Sequence, residues 1–146
     1  MAYPKILIVE DDNAIRTLLM AALRREPLDV HSAADGLAAL DLARENDYAV
    51  ILLDLMLPRV NGYEFLEGLD AVRPSVSPVV IVMTAFDATA IKRLGPMRVQ
   101  AILHKPFDVE RVVEMVRDCA VLHQEHSGVP ARDTSSPEES ATEYVC

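Results

Sequence analysis

Five short apolar runs recur along the chain, at residues 5–9, 28–32, 49–53, 78–83 and 100–104, and helical patterns separate them. Runs such as Ala49-Val50-Ile51-Leu52-Leu53 and Val79-Val80-Ile81-Val82-Met83 are apolar throughout, as in strands buried on both faces. The first insert, residues 13–26, places Ile15, Leu18, Leu19, Ala22 and Leu23 on one face and leaves Arg16, Arg24 and Arg25 to solvent. Residues 36–46 repeat the pattern with Leu37, Leu40 and Ala43, and residues 62–72 do so with Phe65, Leu66 and Leu69, weakened by Gly68. A fourth, short helix is expected over residues 86–94, where Gly95-Pro96 stops it. The last, over residues 109–122, has Asp108 as N-cap and Val112, Val113, Val116 and Ala120 at helical spacing. This alternation predicts an α/β fold, a parallel sheet with helices on both faces.

Several function classes are excluded early. No apolar run is long enough to cross a bilayer, and the N-terminus reaches Glu10-Asp11-Asp12 before the core of a signal peptide can develop. A cytoplasmic protein without a membrane partner is expected. The 23 acidic against 14 basic side chains give a formal charge of −9, which works against nucleic-acid binding. Cys119 and Cys146 fit no metal spacing, and without a secretory signal both are expected as free thiols. His31, His104, His123 and His126 lack ligand spacing and receive no role. From residue 123 the composition turns polar, and from residue 124 five acidic side chains face Arg132 alone. The expected organisation is one domain over residues 1–123 and an acidic, mobile tail over residues 124–146, too short and polar for a helix-turn-helix effector.

In an open parallel sheet, ligands bind beyond the carboxyl ends of the strands, where the strand order reverses. Those ends carry Glu10 and Asp11 after the first strand, Asp54 after the third, Thr84 after the fourth and Lys105-Pro106 after the fifth. At about 4 Å and an effective dielectric of about 20, each carboxylate pair repels by roughly 4 kcal/mol, so the cluster demands a cation. Hard oxygen donors favour magnesium, which keeps several waters and accepts a phosphate oxygen. Singly, each residue has a plainer reading: Asp54 caps a turn, the acidic pair opens a helix, Thr84 ends a strand and Lys105 is a solvated surface cation. Their joint placement favours a site.

Ile6-Leu7-Ile8-Val9-Glu10-Asp11-Asp12, Asp54-Leu55-Met56-Leu57-Pro58 with Gly62, Thr84-Ala85 and Lys105-Pro106-Phe107 resemble the receiver domains of two-component response regulators, over about residues 5–122. The resemblance implies a flavodoxin-like (βα)5 fold with strand order 2-1-3-4-5. It makes Asp54 the phosphoacceptor, attacking a phosphohistidine on a sensor histidine kinase or histidine phosphotransfer protein. It makes Asp11 and Asp54 direct ligands of Mg2+, Glu10 a ligand through water, and Met56 a ligand through its backbone carbonyl. Lys105 would pair with one phosphoryl oxygen, Thr84 would hydrogen-bond another, and Pro106 would follow a cis peptide. The implied protein is a phosphoacceptor in signalling rather than an enzyme with a separate substrate, although it can promote its own phosphorylation and dephosphorylation. It would act through contacts with a downstream protein, the first helix serving the kinase and residues 86–122 the output or dimerisation.

The pattern departs from the family in places. Many receivers carry Tyr or Phe where Ile102 stands, a ring that moves with the hydroxyl corresponding to Thr84, so a smaller switch movement is expected here. Residues 98–101 read Arg-Val-Gln-Ala instead of the common Gly-Ala-Asp-Asp. Met56 and Phe86 occupy the positions that tune hydrolysis, and both are apolar, so a long-lived acyl phosphate is expected. Two other readings compete with this one. A degenerate receiver would dock partners without phosphorylation, and a haloacid-dehalogenase-type phosphatase would need a second acid where Met56 stands.

Overall fold

Parallel strands buried on both faces force adjacent side chains into opposite layers, and the molecule is built on that division. The computed structural model describes residues 3–57, 59–72, 77–85, 92 and 99–128. The elements in chain order are β1 (Lys5–Val9), α1 (Asn13–Leu23), β2 (Asp29–Ala33), α2 (Gly36–Glu45), β3 (Val50–Asp54), α3 (Gly62–Val72), β4 (Val79–Ala85), β5 (Ala101–Lys105) and α4 (Val109–Gly128). The strands form one parallel sheet in the order β2-β1-β3-β4-β5, the expected flavodoxin-like arrangement.

Leu7, Val9, Ile51, Leu53, Val80 and Val82 point to one face and pack with Leu40 and Ala43 of α2 and Phe65, Leu66 and Leu69 of α3. Ile6, Ile8, Val50, Leu52, Ile81 and Met83 point to the other and meet Leu19 and Leu23 of α1 and Val112, Met115 and Val116 of α4. Strict period-two alternation of faces, each covered by helices, is why these runs read as apolar without interruption. Side-chain oxygens fix the helix starts. Asp12 Oδ1 accepts from Ile15 N at 3.0 Å, and Asp35 Oδ1 accepts from Ala38 N at 2.8 Å. Asn61 and Glu64 bond each other's backbone N–H at 2.9 Å, a reciprocal box at the start of α3.

The boundaries differ from expectation in an instructive direction. β2, β3 and β5 each sit one residue later, and β4 runs on to Ala85, because the pairing continues through Asp54 opposite Met83 and Ala85 opposite Lys105. α1 stops at Leu23, three residues short of the expected end. α4 continues past residue 122 to Gly128, so the expected domain boundary at 123/124 falls inside a helix. His123, Gln124, Glu125 and His126 are polar without being helix breakers, and the first stop signals are Gly128 and Pro130. The helix expected over residues 86–94, apart from helical Lys92, and the tail beyond residue 128 lie outside the described residues.

Cys119, fully buried on α4, is disulfide-bonded and not the free thiol expected. A compartment argument says where oxidation persists, not which sulfurs lie close together; Cys146 lies outside the described residues. Among the described residues, no helix is long and apolar enough to cross a membrane.

His31, given no role from the sequence, joins a small polar group at the edge of the sheet. Its Nδ1 lies 2.7 Å from the hydroxyl of Tyr48, its Nε2 3.3 Å from Asp29 Oδ1, and the two rings meet edge to face. Burial, reinforced by Asp29, pushes the Tyr48 hydroxyl up to about 12 from its ordinary value of 10.0. A raised folded pKa stabilises the fold below the unfolded value and withdraws that stability as pH rises through the folded one. Wild type is therefore expected to lose roughly 2–3 kcal/mol more than Tyr48→Phe as the solution is taken through that interval, measured by urea unfolding. Parallel curves for the two proteins would show that the hydroxyl is not desolvated.

Candidate functional site

Because β1 and β3 are neighbours, the residues that follow their last apolar positions arrive side by side. Glu10, Asp11 and Asp54 each offer a carboxylate oxygen, and all three lie within 4.8 Å of one another. Glu10 is fully buried and Asp54 nearly so, whereas Asp11 faces solvent. Backbone geometry holds these acids: Asp12 N donates to Glu10 Oε2 at 3.1 Å, and Met56 N donates to Asp54 Oδ1 at 3.0 Å.

Lys105, the last residue of β5, reaches past β4 into this group. Its Nζ lies 3.1 Å from Glu10 Oε1 and 3.3 Å from Asp54 Oδ2. Burial raises the Glu10 carboxyl, outweighing the Asp12 N–H bond that lowers it, with Asp54 adding to the rise. For Lys105 burial works against the charged form, but hydrogen bonding to Glu10 and the charges of Asp54 and Glu10 together hold the ammonium above the ordinary lysine range. The lysine occupies the place of a cation among hard oxygen donors. That donor set, with one acid exposed, fits a partly hydrated magnesium ion.

Thr84 is buried at the end of β4, between the ends that carry Asp54 and Lys105, and its hydroxyl donates to the Ala85 carbonyl at 2.9 Å. Met56, two residues after Asp54, is 72% exposed. The Lys105-Pro106 peptide is cis. Gly62 lets α3 start against the end of β3: a Cβ there would sit 2.6 Å from Leu55 Cα, and Gly62 N donates to the Leu55 carbonyl at 3.0 Å. Ile102 is not part of this cluster. It stands three residues before Lys105 on β5, hence on the opposite face, and packs partly buried against the α2–α3 layer. Phe86 lies outside the described residues.

One contributor escaped sequence reasoning. Arg16, assigned to solvent from its place on the helix, donates from Nη1 to the Glu10 carbonyl at 2.8 Å and from Nη2 to Asn13 Oδ1. Its guanidinium fixes the loop that carries the acids. Helical periodicity carries no signal for a side chain folding back onto a backbone carbonyl.

The family model for the response regulator receiver domain matches residues 6–117. The transcriptional regulatory protein SrrA of Staphylococcus aureus is 44% identical over 81 residues, 56% of this chain and 32% of that protein. The match thus spans about a third of the length of these curated relatives. The receiver domain of Francisella response regulator 1452 superposes with a TM-score of 0.72 at 28% identity, over 82% of this chain and 98% of that one. The receiver domain of sensor histidine kinase PA1611 from Pseudomonas aeruginosa PAO1 gives a TM-score of 0.73 at 26% identity, over 82% and 99%. That structure holds a magnesium ion in its active-site cleft. With strand order, acidic cluster and family match in agreement, the chain belongs to the response regulator receiver family of two-component signalling systems.

Proposed function

We propose that Asp54 accepts a phosphoryl group from the phosphohistidine of a sensor histidine kinase or histidine phosphotransfer protein, in a magnesium-dependent reaction, and that the domain, over residues 1–123, signals to a downstream protein by contact. The observation that carries this reading is the buried Asp54 carboxylate within 4.8 Å of Glu10 and Asp11 oxygens and 3.3 Å from the Lys105 ammonium. A carboxylate oxygen of Asp54 forms the new P–O bond as the P–N bond to imidazole breaks, and its electron pair returns to the ring nitrogen. Lys105 offsets charge on an equatorial phosphoryl oxygen, and Thr84 turns its hydroxyl from the Ala85 carbonyl to another. Glu10, Asp11, Asp54 and the Met56 carbonyl are the groups that would hold magnesium, which supplies further neutralisation of phosphoryl charge when bound.

The test is intact-protein mass after incubation with acetyl phosphate, with and without magnesium. A single phosphoryl adduct is expected on wild type with the metal and none on Asp54→Ala. An adduct that persists in Asp54→Ala would sink the assignment, and none on wild type would favour the docking reading. Met56 carries a second expectation. Its apolar side chain offers nothing to orient an attacking water, so Met56→Asn is expected to shorten the acyl-phosphate half-life several-fold, measured by decay of the adduct. An unchanged half-life would show that this position does not govern hydrolysis.

A further inference from the structure

The loop that follows Asp54 is braced from outside the site. Leu55 and Leu57 are buried, and Gly62 N closes on the Leu55 carbonyl, but the turn between them must be held by something else. At that turn Arg59 takes a positive φ of 65°, which a side chain disfavours, and Val60 follows it. The contact that fixes this turn comes from the first residue of α2. A Cβ on Gly36 would overlap the Val60 carbonyl oxygen and lie 3.0 Å from the Val60 carbonyl carbon. Only a residue without a side chain admits so close an approach. Beside it, Asp35 uses both carboxylate oxygens: Oδ1 caps α2 at Ala38 N, and Oδ2 lies 3.5 Å from Arg59 Nη1.

We propose that Gly36, through the Val60 carbonyl and with the Asp35–Arg59 pair beside it, is a positioning residue for the acceptor loop, setting where the Met56 backbone stands relative to Asp54 and hence how tightly the site holds magnesium. The inference rests on the proposed function for the metal's role. The route is short. Met56 N is bonded to Asp54 Oδ1, and Met56 and Val60 belong to the same loop, which Gly62 N closes on the Leu55 carbonyl, so a shift of the Val60 carbonyl has to be taken up within that loop. Residues that orient ligating groups without touching the metal typically change its affinity about 10–100-fold when replaced.

A built-in comparison is available. Gly68 on α3 also lies against α2, but a Cβ there would meet only the Leu40 side-chain methyls at 2.9 Å, a flexible end that can yield. Magnesium binding to the intact chain would be measured by titration calorimetry for wild type, Gly36→Ala, Gly68→Ala and Arg59→Gly. Gly36→Ala is expected to weaken magnesium about tenfold and Gly68→Ala by no more than about twofold. Arg59→Gly, which adopts the positive φ freely but lacks the ion pair, is expected to weaken it about threefold while the fold is kept. It carries the test if Gly36→Ala does not fold by circular dichroism. Equal affinities across the set, equal losses in Gly36→Ala and Gly68→Ala, or no magnesium binding by wild type would each overturn the brace. Phosphoryl uptake from acetyl phosphate, followed on the same samples, reports on Asp54 separately: wild type that binds magnesium but gains no adduct would refute the proposed function and leave the affinity comparison to decide the brace.

Discussion

Lys105→Ala is expected to cost the folded protein about 2–4 kcal/mol in magnesium-free buffer at neutral pH, and added magnesium is expected to restore most of it. The ammonium stands 3.1 Å from Glu10 and 3.3 Å from Asp54, and both acids are buried. Without it, the two carboxylates face each other inside the protein with no opposing charge. The divalent ion is then the obvious replacement, so magnesium affinity should rise by about tenfold even as phosphoryl uptake falls by about a hundredfold or more, because the charge that offsets the phosphoryl oxygen is gone. Acidification offers a second check. Glu10 is raised above the ordinary carboxylate value, so it binds a proton early as pH falls, and the penalty in the variant should shrink over the same range. Urea unfolding at several pH values, with and without magnesium, measures all of this; a Lys105→Ala protein as stable as wild type in the absence of metal would refute it.

The second large effect lies in the core. Phe65→Ala is expected to destabilise by about 3–5 kcal/mol, because the ring is fully buried and its removal leaves a cavity against strands that cannot move inward. Phe65 belongs to the layer that joins α3, the helix after the loop that follows Asp54, to Leu7, Ile51, Leu53 and Val82. Denaturant midpoints measure the loss, with an unchanged m-value showing that the unfolding unit is the same. A loss below about 1.5 kcal/mol would mean that Leu66, Leu69 and their neighbours close the gap.

Most of the fold was legible because one physical rule was repeated. Strands covered on both faces need apolar residues at every position, and the inserts need apolar residues on one helical face; each pattern survives in the residue order. The site was legible for a related reason. A parallel sheet delivers its carboxyl ends to one edge, so the juxtaposition of Glu10, Asp11, Asp54 and Lys105 could be expected without coordinates. What escaped were interactions without periodicity. Arg16 folding onto the Glu10 carbonyl, Tyr48 meeting His31 and Gly36 under Val60 each depend on where a helix or strand residue meets a separate loop. The end of α4 was misplaced because a change to polar composition was read as an end of helix, although only Gly128 and Pro130 carry breaking chemistry.

The order of strands also decides which backbone edges are open to another chain. Among the described residues the sheet exposes β2 and β5 at its two edges. β2 carries exposed Asp29 and partly exposed His31 and Ser32, and β5 ends in exposed His104 and the charged Lys105. Chains seeking to add a strand meet charge and desolvation cost there. The segments with strong tendency to form intermolecular sheet, Ile6-Leu7-Ile8-Val9 and Val50-Ile51-Leu52-Leu53, lie inside, flanked in sequence by Lys5 and Glu10 and by Asp47 and Asp54. Two of those flanking charges, Glu10 and Asp54, are residues of the acidic cluster. The same carboxylates thus stand where charges interrupt aggregation-prone runs when β1 and β3 are exposed during synthesis or unfolding, a constraint on their replacement that is independent of any phosphoryl chemistry.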